Sequence, residues 1–194
     1  MFSPWRMIIT MMPLILSGVA NMIFTKTSFY QKYKKPIDNN KLWKDGKRIF
    51  GDNKTWIGLF SMIVFCIIFQ IVFGFVCNNF GLNDYNDLYN TKENTIQLNA
   101  MFGFLIGVVY MVSELPNSFI KRRLNIASGK TDKGIKGIIF FIIDQIDSLI
   151  GVMLVLYFMS DIYFSTYILY VFGGGLIHIL INVILYFTKV RRNI

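Results

Sequence analysis

Long uninterrupted runs of apolar residues constrain this chain more than any other feature. Five runs approach or exceed the roughly 18 to 20 residues that an α-helix needs to cross a membrane. They extend from Met7 to Phe24, Trp56 to Cys77, Leu98 to Val112, Gly137 to Met159 and Ile162 to Phe187, and the third is the shortest. We therefore predict an all-α, polytopic membrane protein with about five transmembrane helices and short cytoplasmic loops. Because little chain remains outside the runs, residues 1–194 are expected to form a single membrane domain.

The distribution of positive charge predicts how these helices are oriented. The segments Lys26–Thr55 and Phe119–Lys136 and the tail after Thr188 hold nine, six and three of the twenty Lys and Arg residues. The positive-inside rule then places these segments in the cytoplasm and the amino terminus outside, in a multi-pass protein of the cell (plasma) membrane. The Lys-rich segment after the first run favours a membrane span over a cleaved signal peptide. Nothing in this arrangement indicates nucleic-acid binding.

Three acidic residues are predicted to lie at membrane depth. Glu114 is at the cytoplasmic end of the third run, and Asp144 and Asp147 lie several residues inside the fourth. An acid at the centre of a membrane helix costs roughly 2.5 to 3.5 kcal/mol on insertion scales, which indicates a functional role. The spacing of three puts the two aspartates on one helical face, where with Glu114 they would make an oxygen cage for Mg²⁺. The structural alternative is hydrogen bonding between helices, or pairing with Lys136.

Two groups of basic and hydroxyl residues are of the types that hold phosphate oxygens. The loop after the first run contributes Asp45, Lys47, Arg48, Lys54 and Thr55, and the loop after Glu114 contributes Ser118, Lys121, Arg122 and Arg123. A solvated basic loop, or a signal for topology alone, is the alternative in each case. Acidic metal ligands beside a cation patch suit a polyphosphate substrate.

Several of these motifs together resemble a known family. Ser113 to Arg123 followed by Asp144-Gln145-Ile146-Asp147 is similar to the signature of CTP-dependent lipid cytidylyltransferases, which include the phosphatidate cytidylyltransferases. Ala20-Asn21, the loop Asp45 to Thr55, and His178 with Asn182 most closely resemble the CDP-archaeol synthase family, in the same order along nearly the whole chain. That family often has Gly-Asp where this chain has Ser113-Glu114.

The resemblance implies a reaction and a set of site residues. A lipid phosphate would attack the α-phosphorus of CTP, giving a CDP-lipid and pyrophosphate with Mg²⁺ as cofactor. Asp144 and Asp147 would bind the metal, with Glu114 in support. The groups that would hold the triphosphate or the lipid phosphate are Lys47, Arg48, Lys54, Thr55, Lys121 and Arg122, with Asp45 and Ser118 in the same motifs, and Asn21 would contact the nucleotide or the metal.

Other interpretations remain open from the sequence. His178 is more often a packing residue than a base in such a setting, with Asn182 as its natural partner one turn later. Gly173 to Gly175 favour close helix approach, and Cys66 and Cys77 are expected to be membrane-core side chains. The alternatives to a CTP-dependent enzyme are a related enzyme using another nucleotide or polyprenyl phosphate, or a small transporter or inactive scaffold. The acceptor lipid and the oligomeric state are not specified.

Overall fold

The described residues form five long α-helices and one short α-helix, with two 3₁₀ turns at Asn83–Tyr85 and Asp87–Tyr89. The computed structural model describes residues 3–130, 132 and 134–188, so the predicted cationic tail after Thr188 lies outside the described residues. The helices are α1 (Pro4–Phe24), α2 (Ser28–Tyr33), α3 (Trp56–Asn79), α4 (Ile96–Arg123), α5 (Gly134–Met159) and α6 (Phe164–Phe187). All except α2 are long and apolar enough to cross a membrane, which confirms the predicted all-α architecture.

The third predicted span is longer than its apolar run. The run ends at Val112, but α4 continues to Arg123 and, with 28 residues, is the longest helix described. Pro116 lies inside it, and membrane helices tolerate proline where neighbouring groups satisfy the freed backbone carbonyl. Ser118, Lys121, Arg122 and Arg123 were expected in a loop, and they instead form the last turns of α4, where cations interact favourably with the helix dipole.

Glycines set the closest helix contacts. A side-chain carbon at Gly103 would lie 2.7 Å from the Ile67 backbone, and one at Gly107 would lie 2.7 Å from the Ile63 backbone. The α4 and α3 backbones therefore touch directly. A side chain at Gly174 would meet Met11 and Leu149, so the predicted close approach of the glycine-rich part of α6 is confirmed. Neighbouring helices pack in the order α1–α3–α4–α5–α6, and α6 returns to α1.

The segment between α2 and α3 folds around one buried carboxylate. The Asp38 side chain is fully buried and accepts hydrogen bonds from Arg48 and from the backbone N–H groups of Asn40, Phe50 and Gly51. Burial alone would raise the pKa of Asp38, but these hydrogen bonds, led by the one from Arg48, outweigh it and lower the pKa from 3.8 to about 2. Thr55 ends this segment and caps α3 by accepting a hydrogen bond from the Gly58 N–H. We call residues 34–55 the basic segment.

The opposite end of the bundle is held by a polar clasp. The Arg6 guanidinium lies 2.7 Å from the Asp87 carboxylate, which also accepts a hydrogen bond from the Tyr170 hydroxyl. Thr10 accepts a hydrogen bond from the Asp87 N–H at 2.9 Å. The clasp therefore ties α1 and α6 to the loop between α3 and α4. Cys66 and Cys77 are free and buried, as expected for membrane-core side chains.

Candidate active site

A polar cavity of about 390 Å³ opens at the end of the bundle that carries the basic segment. Its walls come from the last turns of α4, the first half of α5, the basic segment and the inner face of α6. The polar side chains that line it include Lys26, Asn53, Lys54, Glu114, Asn117, Ser118, Lys121, Arg122, Asp144, Gln145, Asp147, His178 and Asn182. A site of this composition suits an anionic ligand with many oxygen atoms.

The two aspartates of α5 meet at one amide group. The Asn117 Nδ2 atom donates to Asp144 Oδ1 and to Asp147 Oδ2, at 2.7 Å in both cases. The prediction that both carboxylates occupy one helical face is therefore confirmed. The Asn117 Oδ1 atom is buried and has no hydrogen-bond partner among the described residues, which leaves one oxygen acceptor beside the pair.

Each acidic group that was predicted to bind metal also has a polar or cationic partner. Lys121 forms an ion pair with Asp144, so the predicted alternative of Lys136 as its partner is wrong. Lys54 forms an ion pair with Glu114, and the two side chains are only 18% and 19% exposed. Burial lowers the pKa of Lys54, but attraction to Glu114, and then to Asp147 and Asp144, outweighs this, so the pKa is raised. Two of the three carboxylates that line the cavity, Glu114 and Asp144, are therefore paired with lysines.

The donor set fits Mg²⁺ in part. Mg²⁺ prefers oxygen ligands, and proteins usually supply it with one or two carboxylates while water and substrate phosphates complete the octahedron. Asp144 and Asp147 meet that requirement. Among the described residues, no group of three or more His, Cys, Asp and Glu side chains could hold a metal, so Glu114 does not join the aspartates in a three-carboxylate cage. In the structure the Glu114 carboxylate is instead paired with Lys54.

Five of the residues predicted to bind substrate lie outside the cavity lining. The Asn21 Oδ1 atom accepts a hydrogen bond from Ser61, and Thr55 is occupied as the α3 cap and by the Tyr30 hydroxyl. Asp45 pairs with Arg123, the Lys47 ammonium donates to the Arg123 carbonyl, and Arg48 pairs with Asp38 and Asp52. Asp45, Lys47 and Arg48 therefore attach the basic segment to α4 and fix its shape. Lys54, Ser118, Lys121 and Arg122 do line the cavity.

Sequence reasoning missed Asn117 and Gln145 as parts of the site. Gln145 connects α5 to α6, since its Oε1 atom accepts a hydrogen bond from Asn182 and its backbone oxygen lies 3.3 Å from His178 Nδ1. Asn117 had a recognisable signal, because residues 114, 117 and 121 share one face of a helix. That signal requires α4 to continue beyond Pro116, which the apolar pattern does not predict.

An apolar groove adjoins the polar cavity. It lies between α1 and α6 and is lined by Met11, Leu14, Ile15, Val19, Leu149, Ile177, Ile181 and Leu185, among others. Met22, Tyr110, His178 and Asn182 line both the groove and the polar cavity. An amphiphilic ligand could therefore place its polar group near the aspartates and its apolar part between the helices.

Comparison with known proteins identifies the relatives of this chain. The family model described as CarS-like, CDP-archaeol synthase, matches residues 5–193. The CDP-archaeol synthase of Methanococcoides burtonii is 28% identical over 81% of this chain and 89% of its own length. That of Staphylothermus marinus is 30% identical over 80% of this chain and 76% of its own. The match to that of Pyrococcus horikoshii is 40% identical but spans only about half of each protein, 48% of both chains.

The fold itself has a counterpart among solved structures. A structure described as an intramembrane enzyme for archaeal membrane lipid biosynthesis superimposes with a TM-score of 0.64 and 20% sequence identity. The superposition covers 91% of this chain and 92% of that one, so the arrangement of helices is shared over nearly the whole length.

Proposed function

Because this multi-pass membrane chain belongs to the CarS-like CDP-archaeol synthase family, we propose that it transfers CMP from CTP to a membrane lipid phosphate. The observation that carries the proposal is the meeting of Asp144 and Asp147 at Asn117, beside Lys54 and Lys121, in a cavity that adjoins an apolar groove. The cavity suits a charged nucleotide, and the groove suits the chains of a lipid.

The reaction requires positioning and charge neutralisation more than proton transfer. An oxygen of the lipid phosphate forms a bond to the α-phosphorus of CTP, and the bond from that phosphorus to the bridging oxygen of the β-phosphate breaks. The electron pair leaves with pyrophosphate, so the products are a CDP-lipid and pyrophosphate. The attacking phosphate is already ionised, and no side chain has to act as a strong base.

The residues of the cavity have separate tasks in this proposal. Asp144 and Asp147 would hold Mg²⁺, and the cation would supply positive charge that offsets part of the negative charge of the phosphates. Lys54 and Lys121 neutralise the carboxylates in the structure, and they lie where phosphate oxygens would compete for them. Asn117 holds the two aspartates in register.

The lipid would enter from the side of the bundle. The groove between α1 and α6 shares Met22 and Tyr110 with the cavity, so the lipid phosphate could reach the aspartates while its chains stay among apolar residues. The names of the relatives make an archaeol-type ether lipid phosphate the first acceptor to test. CTP would reach the cavity from the cytoplasm if the basic segment faces inward, as the charge distribution predicts.

Turnover with a panel of acceptors tests the proposal. Purified protein in detergent is incubated with labelled CTP, Mg²⁺ and either ether-linked or ester-linked lipid phosphates, with and without chelator. We expect a CDP-lipid from at least one acceptor, and parallel reactions with ATP, GTP and UTP check the choice of nucleotide. The absence of product with every acceptor, in protein shown to be folded, would contradict the proposal.

Substitution of single carboxylates gives a second test, with a matched control at the opposite end of the bundle. Asp147→Asn and Asp144→Asn are expected to lower turnover about 100-fold or more, because an amide neither holds the cation nor balances the lysines. Asp161→Asn makes the same substitution at the opposite end of the bundle and should leave turnover unchanged. Near-normal turnover in the Asp147 variant would exclude the assigned role.

A further inference from the structure

A second concave surface lies beside the polar cavity and has no place in the reaction described so far. It has a volume of about 270 Å³ and lies between the basic segment and the turn that follows α4. Its lining includes Lys47, Arg48, Asp52, Arg122, Asn125, Ala127 and Ser128, and we call it the cationic groove.

Two of its cations form no ion pair within the part of the chain that the structure describes. The Lys47 ammonium donates to the Arg123 carbonyl oxygen at 2.7 Å, and this neutral acceptor leaves its charge uncompensated. Arg122 forms no ion pair among the described residues, and its buried Nε atom has no hydrogen-bond partner there. Arg48, by contrast, is neutralised by Asp38 and Asp52. A buried, unpartnered guanidinium nitrogen indicates a site for an anion, because leaving such a donor unpaired is costly.

The groove and the polar cavity meet at Arg122. Arg122 and Ser128 line both spaces. Gly51 stands at this junction with a backbone φ of +101°, and a side-chain carbon there would collide with the Ser128 hydroxyl and lie 3.4 Å from the Arg122 guanidinium. The missing side chain of Gly51 therefore leaves room for Ser128 and Arg122 at the junction.

Positively charged side chains continue from the polar cavity into the cationic groove. Inside the cavity, Lys54 and Lys121 are already paired with Glu114 and Asp144. Arg122 follows Lys121 directly in α4 and lines both spaces, whereas Lys47 lines the groove but not the polar cavity. Lys26 also lines the cavity without an ion pair among the described residues, so Arg122 and Lys47 extend the positive charge of the cavity into the groove, where a polyanion released beside the aspartates would be attracted.

We propose that the cationic groove receives pyrophosphate when it leaves the polar cavity. The inference rests on the proposed function, which supplies pyrophosphate as the leaving group once the bond to the α-phosphorus has broken. No further bond is made or broken in the groove. Arg122 and Lys47 bind the departing anion there, apart from the nucleotide and lipid portions of the product.

A charge placed in the groove tests this inference. Ala127 is exposed and lines the groove but not the polar cavity, so Ala127→Glu introduces a carboxylate without disturbing buried packing. Calorimetric binding of inorganic pyrophosphate to the full chain in detergent should weaken at least about tenfold, because the added carboxylate repels a multiply charged anion at short range. Lys44→Gln also lowers the net charge by one, on an exposed residue of the basic segment that does not line the groove, and should leave pyrophosphate binding unchanged.

Binding of CMP, which has no leaving group, reports on the polar cavity alone. Unchanged CMP binding in Ala127→Glu together with weakened pyrophosphate binding would support the groove. Equal pyrophosphate binding in all three proteins, or a parallel loss of CMP binding, would overturn it. If the groove fails while a CDP-lipid is still formed, the proposed function stands. If Ala127→Glu weakens pyrophosphate binding but the original chain forms no CDP-lipid from any acceptor, the groove is an anion site and the proposed function fails.

Discussion

At the scale of single residues, the ion pair between Lys54 and Glu114 controls the charge of the cavity. Lys54 is also attracted by Asp147 and Asp144, so its ammonium group acts on all three carboxylates, while Lys121 pairs with Asp144. A cation that enters alone must compete with this lysine, whereas a metal–nucleotide complex offers the lysine a phosphate in exchange. Metal and nucleotide are therefore expected to bind together far better than either binds alone.

Substitution of Lys54 should separate metal binding from nucleotide binding. In Lys54→Met, the affinity for Mn²⁺ without nucleotide is expected to rise about tenfold or more, because Glu114 loses its counter-charge. The affinity for CTP is expected to fall. Mn²⁺, a paramagnetic substitute for Mg²⁺, is titrated and followed by electron paramagnetic resonance.

Lys26 offers the control for this experiment. It lines the same cavity but forms no ion pair among the described residues, so Lys26→Met should leave Mn²⁺ affinity near that of the original chain. Unchanged Mn²⁺ affinity in Lys54→Met, with the protein still folded, would show that the lysine does not compete with metal.

The site also shows which residues sequence patterns can identify. Asp144 and Asp147 could be found because acids inside an apolar run are expensive and therefore conspicuous. Asn117 could be found only if α4 was expected to continue beyond Pro116, because residues 114, 117 and 121 share one helical face only in that case. Thr55 was expected to hold phosphate oxygens and in the structure it caps α3, and a threonine directly before an apolar helical run is also the ordinary signal for a helix cap.

At the scale of elements, the basic segment depends on Asp38. Asp38→Asn removes an ionised acceptor that holds Arg48 and three backbone N–H groups, and the segment should open more readily by about 2 kcal/mol. Trypsin cleavage at the lysines of residues 41–47 is expected to be roughly 30-fold faster at neutral pH, where it follows the open population. Asp52→Asn removes the other partner of Arg48, but its side chain is 71% exposed, so little change is expected. Equal cleavage rates in the two variants would contradict this role for Asp38.

Acid should loosen the same segment. The folded-state pKa of Asp38 is about 2, below its ordinary value of 3.8, so its stabilising effect is complete above about pH 4. The effect is lost as the pH falls through about 2, because the protonated carboxyl no longer balances Arg48. Amide exchange at Phe50 and Gly51, corrected for intrinsic rates, measures the loss, and flat protection over that range would contradict it.

The contact between α3 and α4 sets where the site residues of α4 lie. Gly107→Ala would place a methyl group 2.7 Å from the Ile63 backbone, which cannot move aside as a flexible side chain can. We expect a loss of about 1 to 3 kcal/mol, seen as a lower midpoint of thermal unfolding in detergent. Turnover should fall too, because Glu114, Asn117 and Lys121 lie on the same helix. Gly18→Ala, with nothing within 4 Å of the added carbon, is the control, and a similar effect in both variants would refute the argument.

The sequence predicts helices better than it predicts where they end. Apolar runs of membrane length leave the chain few options other than helices, because backbone polar groups must be satisfied within the bilayer. The hydropathy pattern does not predict the part of α4 after Val112, because the polar residues there face the polar cavity and its charged side chains instead of lipid. The shape of the basic segment cannot be predicted from the sequence either, because it depends on Asp38. Nothing in the composition of the segment distinguishes that carboxylate from Asp45 or Asp52.

At the scale of the whole molecule, the expected orientation of the helices in the membrane can be tested by labelling introduced cysteines, because the native cysteines should not react. Cys66 and Cys77 are fully buried, so a membrane-impermeant maleimide should label neither. We expect Thr91→Cys, in the exposed loop between α3 and α4, to be labelled on intact cells. Lys44→Cys should be labelled only after permeabilisation, because positive charge is retained on the cytoplasmic side. The reverse pattern would place the cavity outside and remove its access to CTP.

The clasp of Arg6, Asp87 and Tyr170 has a consequence for biogenesis. It joins the first helix, the middle of the chain and the last helix, so two of its three members exist long before the ribosome has made the third. Until α6 is inserted, Asp87 lacks the Tyr170 hydroxyl and α1 lacks the partner that packs against Met7 and Met11. Maturation of this end is therefore completed only once α6 has been made and inserted, and chains truncated before α6 are expected to be substrates for membrane quality-control proteases.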